Sequence, residues 1–222
     1  PNMRSGTRYA GPEESEVYEI GFKGNWATTS LNVALFTQEI EGFQSNIFTG
    51  TGFVLANAGK QSTDGIEVDA VWMPNESWNL TFSGTWLDPV YDSFEGAEGP
   101  DGPVDLSGTA PAGVHEFSMS TSATYYFDLG NASSFIRGEY VYDDEVQVVE
   151  NVPAFIASRE VSLLNASIGL AWPNGVEVTL WGRNLTDDEF LQSAFPAVAQ
   201  AGSFSGYPNQ PRTYGATVRY RF

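Results

Sequence analysis

Apolar and polar residues alternate with a period of two along most of the chain. In the segment WNLTFSGTW, for example, Trp78, Leu80 and Phe82 alternate with Asn79 and Thr81. Successive side chains of a β-strand point to opposite faces, so each such segment predicts a strand with one apolar and one polar face. About nine segments carry this pattern, and they lie at residues 18–23, 31–35, 66–72, 78–86, 117–127, 136–142, 164–172, 176–183 and 213–222.

The final segment, PRTYGATVRYRF (residues 211–222), separates its two faces most clearly. Tyr214, Tyr220 and Phe222 lie on one face, whereas Arg219 and Arg221 lie on the other. Such a strand can place its apolar face in the core of a soluble protein, or against lipid with its polar face turned to a wet interior. Taken alone, this segment leaves both environments open.

The connections between the predicted strands alternate in length. Short connections at residues 24–27, 73–77, 128–132 and 172–175 carry the Gly, Pro and Asn residues that tight turns need. Long connections cover roughly residues 44–61, 94–113, 147–159 and 191–211 and hold much of the acid. Short turns on one side and long loops on the other are typical of outer-membrane barrels rather than of soluble sandwiches. We therefore predict an all-β fold, an antiparallel transmembrane β-barrel.

Aromatic residues cluster beside the short turns. Amphipathic rings are favoured at the boundary between lipid and water, so this clustering predicts an aromatic girdle. Ordinary core and edge aromatics are the alternative interpretation. The residues concerned are Trp26, Trp72, Trp78, Tyr125, Tyr126, Phe127 and Trp172.

An odd number of strands has a consequence for closure. With nine up-and-down strands, the first and the last run in the same direction and cannot pair as antiparallel neighbours, which would leave open edges in lipid. We therefore expect the remaining barrel strands to lie upstream or in another chain. The chain begins at Pro1 without an initiator methionine, which suggests a processed chain or a fragment.

Composition and charge narrow the possible functions. The 222 residues include no cysteine and one histidine, which excludes disulfides and thiolate metal sites and makes a Ser-His-Asp triad improbable. The net charge of −18 argues against a nucleic-acid partner, because binding phosphates requires lysine and arginine. We expect neither enzymatic activity nor a cofactor.

Two acidic clusters lie where predicted strands meet long loops, and both offer carboxylate oxygens of the kind that Ca²⁺ binds. They are weak metal candidates, since such runs are more often a solvated rim: Asp143 and Asp144 in the first, Asp187 and Asp188 in the second. His115 is expected to be a single surface histidine.

Two further groups of residues are candidates for function. Charged residues on the polar faces would contact a plug or line a transport path, or form a hydrated wall with internal salt bridges: Glu67, Asp69, Arg137, Glu139, Arg183, Arg219 and Arg221. Aromatics in the long loops are candidates for contacting a ligand, with packing between loops as the alternative: Phe43, Phe48, Phe195, Phe204 and Tyr207. The acidic loops would repel an anionic cargo, so we expect a neutral or cationic one unless basic residues lie upstream.

Several segments together resemble the C-terminal end of TonB-dependent outer-membrane receptors. They are PEESEVYEIGFKG (12–24), NAGKQSTDGIEVDAVWMP (57–74), WNLTFSGTWLDPVYDSF (78–94), LLNASIGLAWPNGVEVTLWGRNLTDDEF (163–190) and the closing strand. The family's "NL-D" signature falls at Asn184, Leu185 and Asp187. The resemblance covers nearly the whole chain in the family's order.

The resemblance implies a 22-stranded barrel, of which residues 1–222 would form about nine C-terminal strands. It implies a bacterial outer-membrane location and import of a scarce nutrient ligand, such as a siderophore, a metal complex or an oligosaccharide. Lipid and lipopolysaccharide would surround the barrel. Energy coupling to the TonB complex would require a plug and a TonB box, which have no counterpart in these residues. Tyr220 and the terminal Phe222 resemble the signal that the outer-membrane assembly machinery reads.

Two other interpretations stay open from the sequence. A passive porin-like channel or structural barrel would share the strand pattern but lack a plug. A soluble β-sandwich that binds carbohydrate or calcium would bury the apolar faces in its own core.

Overall fold

The computed structural model describes residues 9–57 and 59–222, so residues 1–8 and 58 of the predicted barrel portion lie outside the described residues. Fifteen strands are present in the described part. In chain order they are β1 (Glu14–Asn25), β2 (Thr29–Glu41), β3 (Gln44–Phe48), β4 (Phe53–Asn57), β5 (Lys60–Asn75), β6 (Trp78–Ser93), β7 (Ala97–Gly99), β8 (Gly102–Val104), β9 (Phe117–Leu129), β10 (Ala132–Gln147), β11 (Ser158–Ala171), β12 (Val176–Arg183), β13 (Leu191–Pro196), β14 (Phe204–Pro208) and β15 (Thr213–Tyr220).

Nine long strands form one antiparallel sheet in the order β1-β2-β5-β6-β9-β10-β11-β12-β15. The prediction of nine antiparallel strands is confirmed. Strands β1 and β15 lie at the two ends of this sheet, so it does not close on itself. Nowhere in the described ranges does a helix have the length and hydrophobicity needed to span a membrane.

Strand register keeps the apolar side chains of neighbouring strands on one face. Leu180 pairs with Ile168 in β11 and with Ala216 in β15, and Val178 pairs with Val218. Directly opposed residues share a face, so these side chains form a continuous apolar surface. The surface is not covered by other parts of the described chain: Leu180 is 53% exposed and Val218 is 71% exposed. A surface of this extent requires a nonpolar environment outside the chain.

The two clusters of buried apolar side chains lie at the long-loop end of the molecule. One buried cluster consists of Tyr91, Phe94 and Ala97, and another consists of Val152, Ala157 and Ala194. Within the described residues, the other sheets are three two-stranded ones, β3-β4, β7-β8 and β13-β14. The soluble-sandwich interpretation required a second sheet that covers the apolar face. The described part of the chain forms no such sheet.

The long connections are more ordered than the sequence indicated. Each of the three two-stranded sheets is a hairpin inside a segment that we predicted to be loop. These hairpins escaped the sequence analysis because their strands have three to six residues, too few for a period of two to stand out.

The short turns follow from their residue types. Gly130 and Gly175 adopt positive φ values of 64° and 87°, which cost glycine little. The side-chain oxygens of Asn75 and Asn174 accept hydrogen bonds from the backbone N–H groups two residues later, at 2.9 and 3.2 Å. These Asx turns reverse the chain within a few residues.

Aromatic pairs lie at both ends of the apolar face. Near the short turn before β6, the rings of Trp78 and Tyr125 are 4.9 Å apart. Towards the long loops, the rings of Trp86 and Phe117 are 4.8 Å apart. On β6 the outward face turns polar after Trp86, where Asp88 is exposed. The sequence analysis predicted the first group and missed the second, because the second lies within strands rather than beside turns.

Candidate functional site

A cavity of about 710 Å³ lies among the long loops. Five aromatic side chains line it, contributed by the β3–β4 hairpin, the end of β6 and the β13–β14 hairpin: Phe43, Phe48, Phe53, Tyr91 and Phe195. Mostly apolar cavities of several hundred cubic ångströms with a few polar groups are the usual form of small-molecule sites.

The cavity lies over the polar face of the sheet. Gln61 and Tyr91 both line it, and they are directly opposed in the β5–β6 ladder. Glu67 and Asp69 lie six and eight positions after Gln61 in the same strand, and no register shift falls between them. Because side chains alternate between faces, all three share one face. Whatever enters the cavity therefore approaches the polar face of the sheet.

Aromatic contacts hold the cavity walls together. Phe48 lies 5.1 Å from Phe53 across its own hairpin and 6.2 Å from Phe195 of β13, measured between ring centroids. Phe43 lies 6.0 Å from Tyr91. These distances are those of favourable aromatic pairs, so loops from distant parts of the sequence support one another.

Three polar groups accompany these rings. The Tyr91 hydroxyl donates to a Glu150 carboxylate oxygen at 3.0 Å, and the Asn151 amide donates to the Phe48 carbonyl oxygen at 2.7 Å. The side-chain oxygen of Gln61 is buried and has no hydrogen-bond partner.

Tyr91 lies beyond Trp86, where the apolar band of β6 ends, and so outside the membrane-spanning part of the strand. Burial raises the pKa of its hydroxyl, and the negative charge of Glu150 and the hydrogen bond between the two groups add to the increase. The hydroxyl therefore stays protonated over the physiological range and keeps donating to Glu150.

The predicted ligand-contact aromatics divide into two groups. Phe43, Phe48 and Phe195 line the cavity. Phe204 instead packs against the buried cluster around Val152 and lines a second loop cavity of about 910 Å³. Tyr207 is 62% exposed, and its ring lies 5.8 Å from that of Phe195. Phe204 therefore lies outside the 710 Å³ cavity, and Tyr207 lies beside that cavity rather than in it.

On the polar face, the predicted charges of β10 form an internal network. Arg137 donates to Glu139 at 2.8 Å and to the Thr124 hydroxyl at 3.2 Å, and the Asn165 amide donates to Glu139 at 3.1 Å. Asp69 of β5 accepts a hydrogen bond from Ser83 at 2.7 Å. Glu67, on the same face, is exposed.

The remaining predicted charges lie on β12 and β15. Glu177 faces Arg219 at 3.6 Å and Arg221 at 3.1 Å. The Arg183 guanidinium lies over the Trp181 ring, 5.4 Å from its centroid, within the range of a cation–π contact. Arg183, Trp181 and the β10 network line a polar cavity of about 420 Å³ on the sheet, whereas Glu177, Arg219 and Arg221 are not in its lining.

The weak metal candidates are largely engaged in backbone and side-chain contacts. Asp144 accepts a hydrogen bond from the Phe117 N–H at 3.1 Å, and Asp188 accepts one from the Ser162 N–H at 2.8 Å. Asp187 pairs with Arg212 at 3.1 Å. Among the residues that the structure describes, no three or more potential ligands come together as a metal site, and Asp143 lies within the β10 ladder.

The expectation for His115 is wrong. Its side chain is only 10% exposed rather than a free surface group. Its Nδ1–H donates to the Asp144 carbonyl oxygen, and its Nε2 accepts a hydrogen bond from Arg159 at 3.0 Å. Arg159 also donates to the Gln192 carbonyl oxygen, so His115 joins the start of β9 to β10, β11 and the β13 region. Sequence alone could not place these partners, which lie 29 to 44 residues away.

The "NL-D" segment forms a structural junction that residue types alone did not reveal. Asn184 has a φ of 50°, donates to the carbonyl oxygens of Asp188 and Gln210 at 2.9 and 3.2 Å, and accepts the Asp188 N–H at 2.9 Å. Asn209 likewise accepts the Phe190 N–H at 3.0 Å. Together these two amides fix the start and end of the loop that carries β13 and β14.

The predicted assembly residues lie at the chain end. β15 ends at Tyr220, two residues earlier than the sequence pattern indicated, and Phe222 is fully exposed. Their rings are 5.1 Å apart in an edge-to-face arrangement. The Arg221 N–H still donates to the Gly175 carbonyl oxygen at 3.0 Å, so this end stays attached to the neighbouring turn.

Comparison with known proteins shows related sequence and fold. The family model described as "TonB dependent receptor-like, beta-barrel" matches residues 2–185. The ferric yersiniabactin uptake receptor FyuA from Yersinia pestis has a TM-score of 0.76 at 19% identity, over 95% of this chain and 30% of that chain. The siderophore receptor PiuA from Acinetobacter baumannii has a TM-score of 0.75 at 20% identity, over 98% and 30%.

A third similar structure is the ferric-catecholate import receptor Fiu from E. coli K12 in its closed form, with a TM-score of 0.70 at 18% identity, over 100% of this chain and 30% of that chain. The chain thus spans about 30% of the length of these structures. No curated protein matches the chain significantly.

Proposed function

The chain belongs to the TonB-dependent receptor β-barrel family of the Gram-negative outer membrane, and we propose that it forms the C-terminal strands of a receptor that imports a scarce nutrient. The nutrient would be a siderophore, a metal complex or an oligosaccharide. Strands β1 and β15 would pair with barrel strands from the rest of the receptor, because an open edge is not tolerated in lipid.

One observation supports ligand capture most strongly, namely the aromatic cavity among the long loops. It lies over the polar face of the sheet, which would face the barrel interior, and on the side of the long loops, which would face the outside of the cell. A nutrient bound there would stand at the entrance of the transport path.

Release would depend on a plug domain within the complete receptor. In the proposed mechanism the TonB complex, driven by the inner-membrane proton gradient, rearranges the plug and frees the ligand. The polar-face charges are suited to contact such a plug. Arg183 is the best placed of them, since it is exposed and its described contact is with the Trp181 ring rather than with a carboxylate.

The surroundings of the receptor follow from the two faces. The apolar face would contact lipid, the long-loop end would contact lipopolysaccharide, and Tyr220 with Phe222 would be read by the outer-membrane assembly machinery. The exposed terminal ring suits this role, because its described ring contact is with Tyr220 alone and it remains available to a partner.

The experiment compares growth of the native host with and without the receptor gene while iron, copper, cobalamin or an oligosaccharide carbon source limits growth. We expect a defect under one limitation, reproduced by deleting TonB. Uptake that persists without TonB would instead support a passive channel. In the condition that shows a defect, Phe195→Ala should impair growth at an unchanged receptor level. The control is Val104→Ala, which removes an exposed apolar loop side chain that lines neither of the two loop cavities.

A further inference from the structure

We propose that the aromatic cavity selects a ligand group that is apolar, carries an N–H donor and is neutral or positively charged, and that it rejects carboxylates and other anions. The inference rests on the proposed function, in that it specifies what the captured nutrient presents to this chain. It concerns the cavity that this chain builds by itself.

The charges around the cavity have one sign. Glu150 is the acidic residue in the lining, and none of the described lining residues is a lysine, arginine or histidine. The second loop cavity repeats this pattern, with Glu98 and Asp101 in its lining and no basic side chain among its described residues. An anion in either cavity would lose hydration without gaining a counter-ion.

Nearby cations are held elsewhere. The Arg159 guanidinium donates to His115 and to the Gln192 carbonyl oxygen. The sequence neighbours of these two residues, Val114 and Ser193, line the cavity. Lys60, adjacent to Gln61, pairs with Glu39 at 2.6 Å. To neutralise an anion in the cavity, Arg159 would have to leave His115 and Gln192, and Lys60 would have to leave its ion pair between β2 and β5.

The cavity offers a hydrogen-bond acceptor, so a ligand that fits it must supply the donor. The carboxylate of Glu150 has acceptor capacity beyond its bond from Tyr91. The Tyr91 hydroxyl and one of the two amide hydrogens of Asn151 are already engaged, by Glu150 and by the Phe48 carbonyl oxygen. A ligand N–H group placed beside Glu150 would find an acceptor there, whereas a ligand carboxylate would meet a like charge.

The aromatic walls favour the same chemistry. Four phenylalanine rings and Tyr91 line one space, and the carboxylate-bearing residue Glu150 lines it with them. This combination suits an organic cation or a polarised N–H group on an apolar scaffold. Phe48, in contact with rings on both of its sides, is the centre of this wall.

Three naphthalene probes of similar size and different charge test the inference. They are 1-naphthylmethylamine, 1-naphthalenemethanol and 1-naphthoate, each measured by equilibrium dialysis at pH 7 against the purified full-length receptor in detergent. We expect the amine to bind most tightly and the naphthoate at least about tenfold more weakly, which is the size of effect that one charge-assisted hydrogen bond provides.

Variants then assign the preference to the cavity. Glu150→Gln should weaken amine binding about tenfold and leave the alcohol unchanged, because it removes the charge but keeps an acceptor for Tyr91. Glu95→Gln, an exposed loop acid outside the lining, should change neither. Equal binding of amine and naphthoate, an unchanged amine affinity in Glu150→Gln, or no binding of any probe would overturn the inference.

The two proposals fail separately. If the amine preference and its loss in Glu150→Gln are observed but growth never depends on the receptor or on TonB, the import function is wrong and the site chemistry stands. If growth depends on both while naphthoate binds as well as the amine, the import function stands and the chemistry assigned to this cavity is wrong.

Discussion

Replacing Val178 with arginine should prevent the barrel from assembling, whereas the same replacement one residue later should be tolerated. Val178 pairs with Leu170 and Val218 on the apolar face. Its row lies between the rows of Tyr214 and Tyr220, the aromatic residues at the two ends of the apolar face of β15. An arginine at this position would therefore enter the middle of the hydrocarbon layer.

The size of the effect follows from this position. An arginine on the lipid face near the bilayer midplane costs about 2–4 kcal/mol, which lowers the folding equilibrium constant roughly 30-fold to roughly 1,000-fold. Thr179 pairs with Gly169 and Thr217 on the opposite face and borders the polar cavity of about 420 Å³. Arginine at that position finds water and room, so a change within about 0.5 kcal/mol is expected.

The assay measures both variants in the full-length receptor. The fraction assembled is read from the mobility difference between unheated and heated samples, and stability from urea unfolding in liposomes. Leu180→Arg serves as a second apolar-face variant and should behave like Val178→Arg. Equal effects of Val178→Arg and Thr179→Arg would refute the assignment of lipid to the apolar face.

Three further predictions concern the chain end, the loop junction and the turns. Phe222→Ala should lower the amount of assembled receptor without changing its urea midpoint, whereas Phe222→Tyr should restore assembly; normal assembly of Phe222→Ala would reject the signal role. Asn184→Ala should destabilise the receptor by about 1–3 kcal/mol, because buried carbonyl and N–H groups lose their partners. Asn131→Ala, at an exposed turn, should leave the stability unchanged. Equal urea midpoints for the two variants would contradict the role of Asn184 in the loop junction. Gly175→Ala should lower the free energy of unfolding by more than the roughly 1–2 kcal/mol expected for Gly130→Ala. Both glycines have positive φ, but only at Gly175 would a new Cβ lie 2.3 Å from the Arg221 carbonyl oxygen. A lower thermal midpoint for Gly130→Ala than for Gly175→Ala would contradict this.

The main sheet could be predicted because its information is local. Alternation within each segment fixed the strands and their faces, and the contrast between the turn at Gly130 and the loop at residues 94–113 fixed the two ends. The register of Val178 with Leu170 then follows from the length of the turn at residues 172–175, and that of Val178 with Val218 from keeping apolar residues on one face.

The loop site could be predicted only in part. Aromatics in predicted loops, such as Phe48 and Phe195, stood out in the sequence, but their contact joins residues far apart along the chain, and no periodic pattern carries that information. Glu150 and Gln61 are ordinary polar residues until the fold brings them to one cavity. His115 was misplaced for the same reason, since its partner Arg159 lies 44 residues away.

The most direct test of lipid on the apolar face is a cysteine scan along β12. These 222 residues contain no cysteine. Single cysteines at residues 177 to 181 can therefore carry a nitroxide label in a full-length receptor, reconstituted in liposomes, in which any cysteine outside these residues has been replaced by serine. Collisions with oxygen, which concentrates in hydrocarbon, and with a water-soluble nickel chelate are then measured by electron paramagnetic resonance. We expect oxygen contact to be high at Val178 and Leu180, and nickel contact to be high at Glu177, Thr179 and Trp181. A profile with no alternation between these positions would contradict the account.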